Sequence, residues 1–146
     1  MTNHHWSFSI QALQNSLGLA QLKVINDFTA LALSLPDIPA EHLMQIAGGA
    51  AAPQAPLALI GAGTGLGVSG LMPSGPNQWL AIAGEGGHVS LAAADAREAA
   101  VVERLRQRFG HPSAERALSG PGLVNLYEAS CALAGRSAVA EVMDGA

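Results

Sequence analysis

Residues 57–72, LALIGAGTGLGVSGLM, set an apolar run on either side of a turn with glycine at 61, 63, 65 and 67. Glycine at that density is poor helix material, the second run has β character, and Pro73, Gly75 and Pro76 force a turn after it. The segment predicts a β-hairpin with a glycine-rich tip, so the chain is expected to fold around a sheet.

The flanking sequence alternates helical and extended signals. Phe8, Ile10, Leu13 and Leu17 approximate a helical stripe that Gly18 stops, and LKVI at 22–25 reads as a short buried strand. Asn26 and Asp27 then precede FTALALSL, a helix-like run ended by Pro36 and Pro39. The proline- and glycine-rich stretches PDIP and GGAAAPQAP frame a short helix from Glu41 to about Ala47, with a domain boundary near residue 38. QWLAIAG predicts a further strand, and AREAAVVERLRQRFG an amphipathic helix closed by Gly110. A helix starting at Ser113 is expected to be interrupted by SGPG before LVNLYEASCALAG resumes. The organisation is α/β.

Composition excludes several function classes. Hydrophobic residues make up 49% and charged residues 12%, which supports a buried core and argues against disorder. Lys23 is the only lysine and the arginines are dispersed, so no nucleic-acid footprint is expected. MTNHHWSFSI lacks the pattern of a signal peptide, and no stretch reaches the roughly 18 apolar residues of a membrane span. Cys131, being alone, can form neither an internal disulfide nor a thiolate zinc site, which fits a reducing cytoplasm.

Gly65, Gly67 and Gly70 satisfy G-x-G-x-x-G, and Glu85 follows at the distance of a dinucleotide-site acid. That fingerprint needs its last glycine to open a helix, whereas here LMPSGP follows with two prolines. No lysine follows the glycines, so the P-loop pattern fails too. What remains is a glycine turn carrying Thr64, able to point backbone N–H groups at a phosphate or to serve simply as a tight hairpin.

AGEGGHV at 83–89 places Glu85 and His88 around two glycines. The Glu-x-x-His spacing suits a metal-binding helix, but Gly86 and Gly87 oppose a helix and further ligands are lacking, so no metal site is expected. A carboxylate that accepts and an imidazole that donates and accepts can instead grip the neighbouring hydroxyls of a sugar, with the glycines letting the ligand sit close. The plainer alternative has His88 satisfying a buried carbonyl and Glu85 facing water. Asp27 can be a general base at the mouth of a strand-to-helix junction or the N-cap of its helix. Glu115 is a further hydroxyl acceptor or the N3 residue of a helix start. His4, His5, His42 and His111 show no ligand spacing and read as surface residues.

Taken together, VINDFTALALSLP, LIGAGTGLGVSGL, GEGGHVSLA and GHPSAERALSGPGLVNLYEA resemble consecutive motifs of the bacterial glucokinases, in that order and with similar gaps. The resemblance implies a partial actin-like (ribonuclease H-like) ATPase fold, a mixed sheet with flanking helices, in which residues 1–37 end the small domain and 38–146 begin the large one. It implies transfer of the γ-phosphoryl group of Mg²⁺-bound ATP to the 6-hydroxyl of glucose, in glycolysis. By motif correspondence Glu85, His88 and Glu115 hold sugar hydroxyls, Asn26 orients the sugar, Asp27 takes the proton from its 6-hydroxyl, and Gly63, Thr64 and Gly65 contact ATP phosphates. The family's chain is about twice this long and starts with an aspartate- and glycine-rich phosphate loop not found here. The sequence thus resembles an internal stretch, expected to show negligible turnover alone. Glucose and ATP are the expected partners, and a homodimer stays open. The alternative is a non-catalytic sugar-binding module related to the repressors of the ROK family, which share the E-G-G-H turn; many ROK proteins carry a cysteine-rich zinc site that this sequence lacks.

Overall fold

Helix α1, Ile10–Ser16, begins where Ser9 accepts the N–H of Ala12 at 3.2 Å and ends ahead of Gly18, whose φ of 62° takes the left-handed turn that glycine adopts freely. The computed structural model describes residues 7–50 and 52–144. The expected apolar stripe forms a helix, but none of its residues is buried. Helix α2, Asp27–Ser34, follows directly after residues 22–25, where a buried strand was expected. Those residues pair with no strand among the described residues, and Val24 and Ile25 are exposed. A strand needs a neighbour for its N–H and C=O groups, and none of the three described strands runs beside residues 22–25.

Beyond α2 the chain makes two single 3-10 turns, Leu35–Asp37 and Ala40–His42. The helix expected over 41–47 stops at that second turn: Leu43, Met44 and Ile46 lie exposed, so no buried face stabilises further turns.

Strands β1, Leu57–Ala62, β2, Leu66–Gly75, and β3, Gln78–Ile82, form a sheet in the order β1-β2-β3. The glycine-rich hairpin is therefore observed, with Ala62 opposite Leu66 and Gly63–Thr64–Gly65 as its tip. The expected mixed sheet is replaced, among the described residues, by one that is antiparallel throughout, because each strand turns straight back on the last. Pro73 does not end β2. β1 pairs only as far as Leu71, so Pro73 lies where β2 has a neighbour on one side alone, and a register shift between Pro73 and Gly75 follows.

One sheet face packs beneath α2, where the Phe28 ring lies over Gly61 and Gly67. The other presents Ile60, Met72, Leu80 and Ile82, all exposed. Helix α3, Ala96–Phe109, opens with a reciprocal cap: Asp95 Oδ1 accepts the N–H of Glu98 at 2.8 Å and Glu98 Oε2 that of Ala94 at 2.7 Å. It packs against α4, Gly120–Leu133, with Leu105 buried and Arg108 paired to Glu128. The SGPG segment begins α4 rather than interrupting a helix: Ser119 is the cap, and Pro121 sits in the first turn, where its missing N–H costs nothing. A short α5, Ala140–Asp144, follows. Among the described residues no helix is long and apolar enough to cross a membrane.

Candidate functional site

Asn26, rather than Asp27, caps α2: its Oδ1 accepts the N–H groups of Phe28 at 2.9 Å and Thr29 at 3.2 Å. Its Nδ2 group makes no hydrogen bond among the described residues. Asp27 is the first helical residue, exposed, with Oδ1 2.9 Å from the N–H of Phe28. The distance of this helix start from the hairpin is set by Gly61 and Gly67, because a Cβ at either position would collide with the Phe28 ring.

The hairpin tip is braced from two sides. Gly63 donates its N–H to the carbonyl of Gly65 at 2.8 Å, and its own carbonyl accepts the N–H of Gly120 at 2.8 Å. The N–H of Leu66, just past the tip, donates to Glu115 Oε2 at 3.0 Å. Gly70, whose helix-opening role a dinucleotide fingerprint demands, lies inside β2.

Gly86–His88 forms a single 3-10 turn lying on β2. A Cβ on Gly87 would collide with the Leu66 carbonyl, and one on Gly86 would stand 2.7 Å from Val68 Cβ. The two glycines therefore serve close packing on the sheet. Glu85 is exposed, and His88 Nε2 faces Glu115 Oε1 at 3.6 Å rather than a buried carbonyl.

Glu115 belongs to a 3-10 turn, Ala114–Arg116, tied to the segment just past the Gly86–His88 turn by two backbone bonds, Ala114 N–H to Val89 C=O and Leu91 N–H to Pro112 C=O, each 2.8 Å. Two buried side chains, Ser119 at the cap of α4 and Asn125 within it, hold it from behind. The Ser119 hydroxyl donates to the Glu115 carbonyl at 2.8 Å, and Asn125 Nδ2 to the Arg116 carbonyl at 2.9 Å. Sequence reading missed both. Serine ahead of a Gly-Pro pair is a helix-start signal that points to Ser119, whereas nothing local marks Asn125.

Asn26, Asp27, Gly63, Thr64, Gly65, Glu85, His88 and Glu115, drawn from four separate segments of the sequence, line one cleft of about 570 Å³. Phe28, Leu66, Gly67, Val68 and Gly84 complete its wall. Only Glu115 among its acids is partly buried; the others face solvent, ready for a polar ligand. No group of three or more His, Cys, Asp or Glu is placed to hold a metal ion among the described residues. His111 lies outside the cleft, its Nε2 2.9 Å from Ser90 Oγ, and His42 is exposed in its own turn. His4 and His5 lie outside the described residues.

The chain matches the glucokinase family model over residues 1–144. It is 53% identical over 144 residues to a glucokinase of Paramagnetospirillum magneticum, taking in 99% of this chain and 45% of that one. It is 58% identical over 135 residues to a glucokinase of Chromobacterium violaceum, with 92% and 38% covered. The crystal structure of a glucokinase from an Antarctic psychrotroph is similar over 94% of this chain and 42% of that one, with a TM-score of 0.81 at 36% identity. The chain thus spans less than half the length of these relatives. Because the match runs through every segment that lines the cleft, and the backbone follows a solved glucokinase along nearly its whole length, the chain belongs to the glucokinase family.

Proposed function

We propose that the cleft is the glucose-binding side of a glucokinase active site, in which the γ-phosphoryl group of ATP passes to the 6-hydroxyl of glucose. The observation that carries this reading is the meeting of eight residues, distant in sequence, in one cleft. The sugar oxygen bonds to the γ-phosphorus as the bond from that phosphorus to the β,γ-bridging oxygen breaks, ADP leaves, and the hydroxyl proton goes to Asp27. A carboxylate so placed contributes roughly 10² to 10⁴ in rate. Asn26 Nδ2 orients the sugar, while Glu85, His88 and Glu115 hold its other hydroxyls, each bond to an ionised carboxylate contributing about 1.5 to 3 kcal/mol.

The glycine turn takes the phosphates. The N–H groups of Gly63 and Leu66 are already engaged, so the amides of Thr64 and Gly65 are the donors left for an anion. Magnesium arrives with ATP as part of the substrate, and positioning supplies most of the catalysis. In this reading residues 1–37 end the small domain of an actin-like fold and residues 38–146 begin the large one. The reaction belongs in the cytoplasm, in keeping with the single, buried, free thiol of Cys131.

Thermal unfolding followed by circular dichroism, with and without D-glucose, tests the sugar site. Glucose at about a hundred times its dissociation constant should add roughly 2.7 kcal/mol, which raises the midpoint by several degrees. Glu85→Gln should blunt that rise and L-glucose should produce none. A cooperative melt that D-glucose leaves in place would refute the proposal.

A further inference from the structure

The two glycines of the G-T-G turn sit in different surroundings. A Cβ on Gly63 would meet open space, whereas a Cβ on Gly65 would collide with Glu115 Oε2 and stand 3.2 Å from its Cδ. The carboxylate rests on the bare Cα of residue 65, and from there the same Oε2 receives the Leu66 N–H at 3.0 Å. Gly65 does not have a positive φ, so its backbone makes no demand for glycine of that kind. What excludes a side chain at 65 is the acid from 3-10 turn Ala114–Arg116.

We propose that Gly65 is a positioning residue of the sugar site: its missing side chain lets the Glu115 carboxylate settle on the hairpin tip, with Oε2 fixed by Leu66 and Oε1 turned toward His88 3.6 Å away. The inference rests on the sugar reading given above and deepens it, since it gives Gly65 a duty on the glucose side beside that of its amide toward phosphate. A methyl group at 65 displaces the far end of a flexible side chain and no backbone, so the fold survives while the carboxylate loses its seat. The same contact makes the hairpin tip and the sugar acid one mechanical unit.

The test compares the wild-type chain, Gly65→Ala, Glu115→Asp and the double variant, by calorimetric titration with D-glucose and by the amide resonance of Leu66 in ¹⁵N–¹H spectra. Gly65→Ala should move the Leu66 amide proton upfield, as its charged acceptor withdraws, and weaken glucose binding about 10-fold or more. In the double variant the shorter aspartate clears the methyl, so glucose should bind more tightly than the product of the two single effects allows. A merely structural role for Gly65 would show no such rescue. Wild-type binding together with unchanged glucose affinity in Gly65→Ala, or with an unmoved Leu66 amide, would overturn the role of Gly65 alone. Absence of binding by the wild-type chain would instead overturn the sugar reading, and the role of Gly65 with it.

Discussion

Gly120, the first residue of α4, donates its N–H to the carbonyl of Gly63 at 2.8 Å. One residue earlier, the Ser119 hydroxyl donates to the Glu115 carbonyl at 2.8 Å and accepts the N–H of Gly122 at 3.0 Å. A single helix start therefore fixes both the glycine turn and the acid that rests on it. The first N–H groups of a helix have no partner within it, and here that of Gly120 goes to the Gly63 carbonyl while that of Gly122 goes to the Ser119 cap, whose hydroxyl hydrogen is left for Glu115.

Ser119→Ala removes a cap and leaves the buried Gly122 N–H without its acceptor, so stability should fall by about 1 to 2 kcal/mol in urea unfolding. Ser119→Asp separates the two bonds of that hydroxyl. The aspartate still accepts from Gly122 but cannot donate to the Glu115 carbonyl, so it should restore part of the stability and little of the glucose-induced thermal shift. Equal recovery of both would show that the bond to Glu115 does not matter to the site.

Asn26 and Asp27 divide their work, and the division is measurable. Asn26→Ala should cost about 1 kcal/mol because the cap is lost. Asp27→Asn keeps the helix start and gives up only the attraction of an acid for the first turn, about 0.3 to 1 kcal/mol. The larger effect of Asp27→Asn belongs to phosphoryl transfer: in a glucokinase assembled around this cleft, kcat should fall about 10² to 10⁴-fold with little change in KM for glucose. A rise in KM with kcat intact would assign Asp27 to binding instead.

The motifs were readable because each carries its own local chemistry. Glycine density marked the hairpin tip, and an amphipathic run closed by Gly110 marked α3. The strand expected at 22–25 failed because apolar content states a wish to be buried and not which neighbour is there, and the helix over 41–47 failed for the same reason. Local sequence offered Asp27 as a general base or as the cap, whereas the cap is Asn26, one residue earlier, a type that favours the position equally. Least legible was what links the segments. The bond from Leu66 to Glu115 spans 49 positions, and the seat of Glu115 on Gly65 is set by tertiary packing that no spacing rule encodes.

Gly67 and Phe28 should behave as a coupled pair. A methyl group at 67 meets the phenyl ring head-on, so α2 must lift from β2 or the ring must turn out, and Gly67→Ala should destabilise by about 1 to 3 kcal/mol. Replacing the ring by a smaller side chain, Phe28→Leu, makes the room that alanine needs. In a double-mutant cycle the pair should be less destabilised than the sum of the single changes by about 0.5 kcal/mol or more. Strict additivity would mean that the ring does not set the height of α2 above the sheet.

Gly86 and Gly87 give the sharpest contrast between packing and ligand access. If they served only to let a sugar approach, alanine at either would weaken glucose binding and leave the melt unchanged. Packed on β2 as they are, both substitutions should lower the unfolding midpoint without ligand, and Gly87→Ala more, because its Cβ meets the Leu66 carbonyl in the central strand, which has nowhere to move. A Cβ on Gly86 meets the Val68 side chain, with its two methyl carbons at 2.8 and 3.0 Å. Val68→Ala should therefore recover part of the stability lost in Gly86→Ala and none of that lost in Gly87→Ala. Recovery in both backgrounds would mean that the E-G-G-H turn can shift over the strand as a body, and that its seat on β2 is not what fixes His88 opposite Glu115.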